Sequence, residues 1–117
     1  MSERLSTIEP TPIDFRSALE RIGGDEAFLR DLIDLYMEDF REKASQIQGA
    51  IEKEEFNLIR ELGHSLKGSS GNLSLHALQE ISYELEISGK QKDLDLAKKS
   101  FGRLQKAFNH LKEFLSL

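Results

Sequence analysis

The chain contains no cysteine and no tryptophan, and only two prolines in 117 residues. The missing thiol excludes disulfides, cysteine nucleophiles and cysteine metal sites. Scarce proline leaves long helices uninterrupted. No stretch approaches the roughly 20 apolar residues of a membrane span, and the N-terminus carries no apolar run of signal-peptide length. A basic excess is missing as well: the net charge is −5, with both signs interspersed. That composition argues against a general nucleic-acid binder. Without a signal-peptide-like run, a span or a disulfide, the expected location is cytoplasmic.

What remains is one soluble domain's worth of chain, with 32% charged and 38% hydrophobic residues. Residues 1–11 read as a polar leader and residues 12–117 as a single helical domain. Thr11-Pro12 predicts a first short helix, with proline at its first position and an apolar stripe of Phe15, Ala18, Leu19 and Ile22. Gly23-Gly24 ends it, and Asp25 caps a second helix bearing Leu29, Leu32, Ile33, Tyr36, Phe40, Ala44, Ile47 and Ile51. A break is expected within residues 52–55, then a third helix from about Phe56 to about Leu73. Ser74 is the expected cap of a fourth helix, ended by Ser88-Gly89-Lys90. Asp93 caps a fifth, whose stripe of Leu94, Ala97, Phe101, Leu104, Phe108, Leu111 and Leu115 alternates steps of three and four. No segment alternates like a strand. The expected fold is all-α: an antiparallel four-helix bundle with a short additional N-terminal helix.

The third helix carries the chemistry. On an ideal helical projection with Leu62 at zero, Leu58, Ile59, Leu66 and Leu73 lie within roughly 60°. His64 falls about 200° round, Lys67 about 140°, Gly68 about 240° and Gly71 about 180°. His64 therefore faces away from the leucines. Each glycine costs roughly 1 kcal/mol against alanine inside a helix, so Gly63, Gly68 and Gly71 need a reason to be there. Gly68 and Gly71 are expected to flatten the surface beside the ring, and Gly63, nearer the flank, to permit close helix packing. An exposed imidazole is an unprotonated nucleophile for much of its time at neutral pH. If it attacks a phosphoryl group, Lys67 one turn on meets the phosphoryl oxygens. Arg60 is better read as a solvated charge. His76 and His110 have no cleared surroundings and read as ordinary surface positions.

The segment His64-Ser65-Leu66-Lys67-Gly68-Ser69-Ser70-Gly71-Asn72-Leu73-Ser74-Leu75 resembles the motif H-x-L-K-G-S-S-x-N-L-G-A of histidine-containing phosphotransfer (HPt) domains of two-component phosphorelays. Phe15-Arg16-Ser17-Ala18-Leu19, Arg21-Ile22-Gly23-Gly24-Asp25-Glu26 and Phe28-Leu29 look like the family's N-terminal signature, and Leu85-Glu86 like its fourth-helix ending. The resemblance implies that His64 accepts phosphate on its outer ring nitrogen, that Lys67 stabilises it and that Gly68 leaves room for it. It also implies that Glu86 bonds the other ring nitrogen and orients the imidazole. Ser74-Leu75 stands where the family usually has Gly-Ala, which puts the geometry of that connection in question.

A phosphoryl group would then pass between receiver-domain aspartates, or from a histidine kinase to a receiver. Receiver domains of response regulators or hybrid kinases are the implied partners. They would also supply Mg²⁺, because this chain shows no phosphate loop, nucleotide-binding boxes or metal cage and no intrinsic cofactor is expected. The protein would be a phosphotransfer intermediate without a complete catalytic site, and a monomer. Its start at Met1 and end in the last helix favour a free-standing protein over a piece of a hybrid kinase. Two other readings stand beside this one. The first is a helical adaptor that docks receivers without being phosphorylated. The second is a metal bundle built on the E-x-x-H of Glu61 and His64, which would need inward-facing ligands and a second such motif.

Overall fold

A computed structural model describes residues 11–116. The expected leader, apart from Thr11, lies outside the described residues. Five helices follow one another: α1 Phe15–Arg21, α2 Glu26–Glu52, α3 Phe56–Asn72, α4 His76–Gln91 and α5 Leu94–Leu115. No strand occurs among the described residues. No described helix is long and apolar enough to cross a membrane.

The helix starts follow the acidic caps. Asp25 accepts a hydrogen bond from the Phe28 amide at 3.0 Å, and Asp93 one from the Leu96 amide at 3.0 Å. Each satisfies an amide that the first helical turn leaves without a partner. The first helix departs from expectation. It begins at Phe15 rather than Thr11-Pro12, because Asp14 caps it through the Ser17 amide at 3.1 Å. The segment ahead of it is held otherwise: Ile13 is buried and the Asp14 amide donates to the Ser74 carbonyl at 3.2 Å.

The ends of α1 to α4 share one device. Glu54, Ser74 and Lys92 all adopt left-handed backbone, with φ of 54°, 56° and 56°. Behind each, the next amide bonds back into the helix: Glu55 to the Ala50 carbonyl, Leu75 to Ser70 and Asp93 to Ser88, at 2.8–2.9 Å. This is the Schellman closure, here built three times on non-glycine residues. After α1 the same closure uses Gly23 and Gly24 at φ 91° and 88°, with the Gly24 amide 2.7 Å from the Leu19 carbonyl. Two expectations are corrected by it. Ser74 does not cap the fourth helix. It closes the third, fully buried, with its hydroxyl donating to Ser17 Oγ at 2.8 Å. The Ser74-Leu75 departure therefore leaves a left-handed connection of the kind glycine favours. Nor does Ser88-Gly89-Lys90 end the fourth helix, which runs to Gln91 and turns at Lys92. Gly89 lies inside it for a packing reason.

Short turns reverse the chain between successive helices. Contacts between α3 and α4 step in opposite directions along the two: Gly71 meets Gln79, Gly63 meets Glu86, and Arg60 meets Gly89. α2 closes the bundle against α5, where Phe40 stacks on Phe108 with centroids 3.9 Å apart and planes 4° apart. The core is built on the expected stripes of the four longer helices, with Ile47, Ile59, Leu66, Leu85, Leu104 and Leu111 at its centre, whereas of the α1 stripe Ala18 is buried and Phe15 is exposed. α1 leans on α2 and the end of α5, where Phe15 stacks on Phe114. The architecture is the expected helical bundle with one short helix added.

Candidate functional site

α3 places His64 mid-helix on the outer face. Leu62 and Leu66 point into the core, so the residue between them, 200° from one and turned away from the other, points out. Its side chain is 68% exposed. The metal-bundle reading fails on this observation, since its ligands must face inward. Among the described residues no cluster of His, Asp and Glu could hold a metal ion.

Glu86 comes to His64 from α4. Its approach depends on Gly63: a Cβ there would lie 2.6 Å from the Glu86 amide nitrogen and 2.9 Å from its Cα. One turn further along α4, a Cβ on Gly89 would lie 2.5 Å from the Arg60 nitrogen and 2.6 Å from the Phe56 carbonyl oxygen. These two glycines let the α3 and α4 backbones touch, which carries the Glu86 carboxylate within reach of α3. Its Oε2 lies 3.1 Å from His64 Nδ1, and its Oε1 lies 2.8 Å from Lys67 Nζ. The lysine contact is a close ion pair rather than a well-aligned hydrogen bond, for Oε1 has no properly directed donor.

Burial of Glu86 works to raise the pKa of its carboxyl. The contacts with Lys67 and His64, and their charges, outweigh that effect and hold it below its ordinary value. In the tautomer with a proton on Nδ1 that carboxylate accepts from Nδ1–H, and the lone pair then lies on Nε2, the outer nitrogen. The sign of the linkage follows. A carboxyl with a lowered folded-state pKa contributes stability above the ordinary carboxylate range. It loses that contribution as pH falls through the lowered value. Glu86→Gln is therefore expected to flatten the acid limb of stability below about pH 4.5, read as urea midpoints across that range. An unchanged acid limb would show that the pairing contributes nothing.

Around this centre the expected residues divide. Gly68 is exposed and a Cβ there would meet nothing within 4 Å, as clearance requires. Gly71 does not share that role: a Cβ would lie 2.8 Å from Gln79 Nε2, so the space belongs to the Gln79 side chain. Arg60 is exposed, and among the described contacts its side chain makes none with His64, Lys67 or Glu86. His76 stands 3.9 Å from Asp14, at the start of α4 and away from the centre. On the buried face of α3, Ser70 shares a 2.8 Å hydrogen bond with buried Tyr36, whose phenol is pushed well up by burial.

One neighbour escaped the sequence. Tyr83 lies one turn before Glu86 on α4, is 50% exposed, and carries Lys67 Nζ at 5.0 Å from its ring centroid. Its position in the sequence is an outer-face aromatic like others. Only the packing of α4 on α3 puts a cation over it.

A helical bundle presenting an outward imidazole, with a carboxylate on its inner nitrogen and an ammonium beside it, has the parts a phosphoryl-accepting bundle needs. The comparisons agree. A family model described as Hpt domain matches residues 31–114. The crystal structure of histidine-containing phosphotransfer protein B from Pseudomonas aeruginosa PAO1 superposes with a TM-score of 0.84 at 21% identity, over 92% of this chain and 94% of that one. No curated protein matches the chain in sequence. The chain belongs to the Hpt domain family, whose function is histidine phosphotransfer in a phosphorelay. Domains of this family are phosphotransfer carriers that interact with receiver domains.

Proposed function

We propose that His64 is the phosphoryl carrier of this protein and that Nε2 is the atom that bonds phosphorus. The single observation that carries this is the shared Glu86 carboxylate, which holds Nδ1 at 3.1 Å and Lys67 at 2.8 Å while the ring stays outward. The bond from phosphorus to the donor oxygen breaks as the Nε2–phosphorus bond forms. The donor's oxygen leaves with the bonding electrons, and Nδ1 keeps its proton. The ring thereby becomes a cation, and Glu86 already stands against its inner edge to balance that charge. Lys67, one turn along, meets the new phosphoryl oxygens. Gly68 leaves the space that the group and the incoming partner need. Transfer onward reverses each step.

The partner we infer is a receiver domain, as donor or as acceptor. It would supply the acidic cluster and Mg²⁺ that in-line transfer uses. This chain contributes an oriented nucleophile and one cation, which is less than a complete catalytic site, so it acts as an intermediate and not as an enzyme in its own right. We place it in the cytoplasm as a monomer, beside the receivers that would exchange phosphate with it, with no role for nucleic acid or membrane. The test is exposure of wild-type and His64→Gln proteins to a panel of phosphorylated receivers. A receiver-docking adaptor would bind both forms equally and take phosphate in neither.

A further inference from the structure

Lys67 must be in place when phosphate arrives, yet lysine is a compact charge on a flexible four-carbon stem. One anchor would leave that stem free to swing. Here there are two. Glu86 Oε1 holds the ammonium at 2.8 Å, and the face of Tyr83 lies 5.0 Å away by centroid. The lysine side chain is only 29% exposed as a result, although it lies on the outer half of its helix. Both anchors come from α4, one turn apart, so they are set by the same helix contact that Gly63 and Gly89 permit. Tyr83 itself gains little burial from this position, being half exposed. An aromatic ring there is not explained by the core.

We propose that Tyr83 is a positioning residue for phosphoryl transfer: its ring face and the Glu86 carboxylate together hold the Lys67 ammonium beside His64. The attraction is that of a cation for the negative face of the ring, and it needs the π-system rather than the hydroxyl. The ring therefore acts on the rate through Lys67 alone. Nothing in this role requires the ring to touch phosphate. This inference rests on His64 being the carrier.

The experiment is single-turnover transfer from a phosphorylated receiver to full-length protein, with thermal melts of each variant as a check on folding. Tyr83→Leu keeps an apolar side chain but removes the quadrupole, and is expected to slow transfer about two- to five-fold, the size of an exposed cation–π contact. Tyr83→Phe is expected to retain most of the rate. In a Lys67→Ala background, Tyr83→Leu is expected to change nothing further, because there is no ammonium left to position. Three results overturn the proposal: Tyr83→Leu at the wild-type rate, Tyr83→Phe as slow as Tyr83→Leu, or equal slowing in the Lys67→Ala background. The last would mark Tyr83 as a docking contact for the receiver. His64→Gln run alongside separates the two levels. If it accepts phosphate like the wild type, the carrier assignment falls. If it accepts none while Tyr83→Leu behaves as wild type, only the positioning role falls.

Discussion

His64→Gln protein is expected to fold like the wild type and to take no phosphoryl group from any receiver. Stability should hold because the ring is 68% exposed and packs in no core. Surface changes of this kind fall within about 0.5 kcal/mol. The glutamine amide has a donor to offer Glu86, so the buried end of the carboxylate is not stranded. Transfer should vanish because an amide nitrogen, its lone pair delocalised into the carbonyl, is no nucleophile. The label on wild-type protein should be lost in acid, since acid keeps Nδ1 protonated and the ring then leaves phosphorus as a neutral imidazole. His76→Gln and His110→Gln are expected to label normally: His76 stands by Asp14 at the start of α4, and His110 is on α5, a helix that contributes nothing to the centre. Equal labelling of His64→Gln and wild type would remove His64 as the carrier. Equal binding with no labelling of either would favour the adaptor.

The glycines should part company just as sharply. Gly89→Ala is expected to destabilise by about 2 kcal/mol net: about 3 for a Cβ pressed against backbone, less about 1 for better helix propensity. The obstructing atoms are the Arg60 nitrogen at 2.5 Å and the Phe56 carbonyl oxygen at 2.6 Å, which no rotamer change can move. The helices must separate instead, and Glu86 moves with them. Gly68→Ala should do the reverse and stabilise by up to about 1 kcal/mol, since nothing lies within 4 Å of the added Cβ. A larger side chain there, as in Gly68→Gln, should leave the fold intact and slow transfer on the order of 100-fold, because a displaced approach of the phosphoryl group is that costly. Urea midpoints and transfer rates measured on the same preparations check both halves. Equal midpoints for Gly89→Ala and Gly68→Ala would refute the packing role assigned to Gly89.

Much of this was legible in one dimension because it depends on local periodicity. The stripes from Leu29 to Ile51 and from Leu94 to Leu115 are the buried faces, and Asp25 and Asp93 are the caps. The outward turn of His64 also follows from its spacing against Leu62 and Leu66. Errors collected at the connections. Asp14 outcompeted Thr11-Pro12 as a cap because a carboxylate satisfies an amide where proline only spares one. Ser74 looked like a cap from its hydroxyl, but that hydroxyl is spent on Ser17, fifty-seven residues away in sequence. Gly89 looked like a stop because glycine so often is one.

By itself the sequence determined the helices, their buried stripes, the outward turn of His64 and the residues one turn from it, since each is a relation along a single helix. The tertiary structure alone decided what stands across from them. That Gly63 clears a path for Glu86 and Gly71 one for Gln79, while the space beside Gly68 stays open, depends on where α4 lies. So does the Glu86 carboxylate between Nδ1 and Nζ, and the Tyr83 ring under the same ammonium. Helical spacing fixes which way a side chain points. Which group it meets is set by the distance between two helix axes, and here that distance is set by the absence of two Cβ atoms.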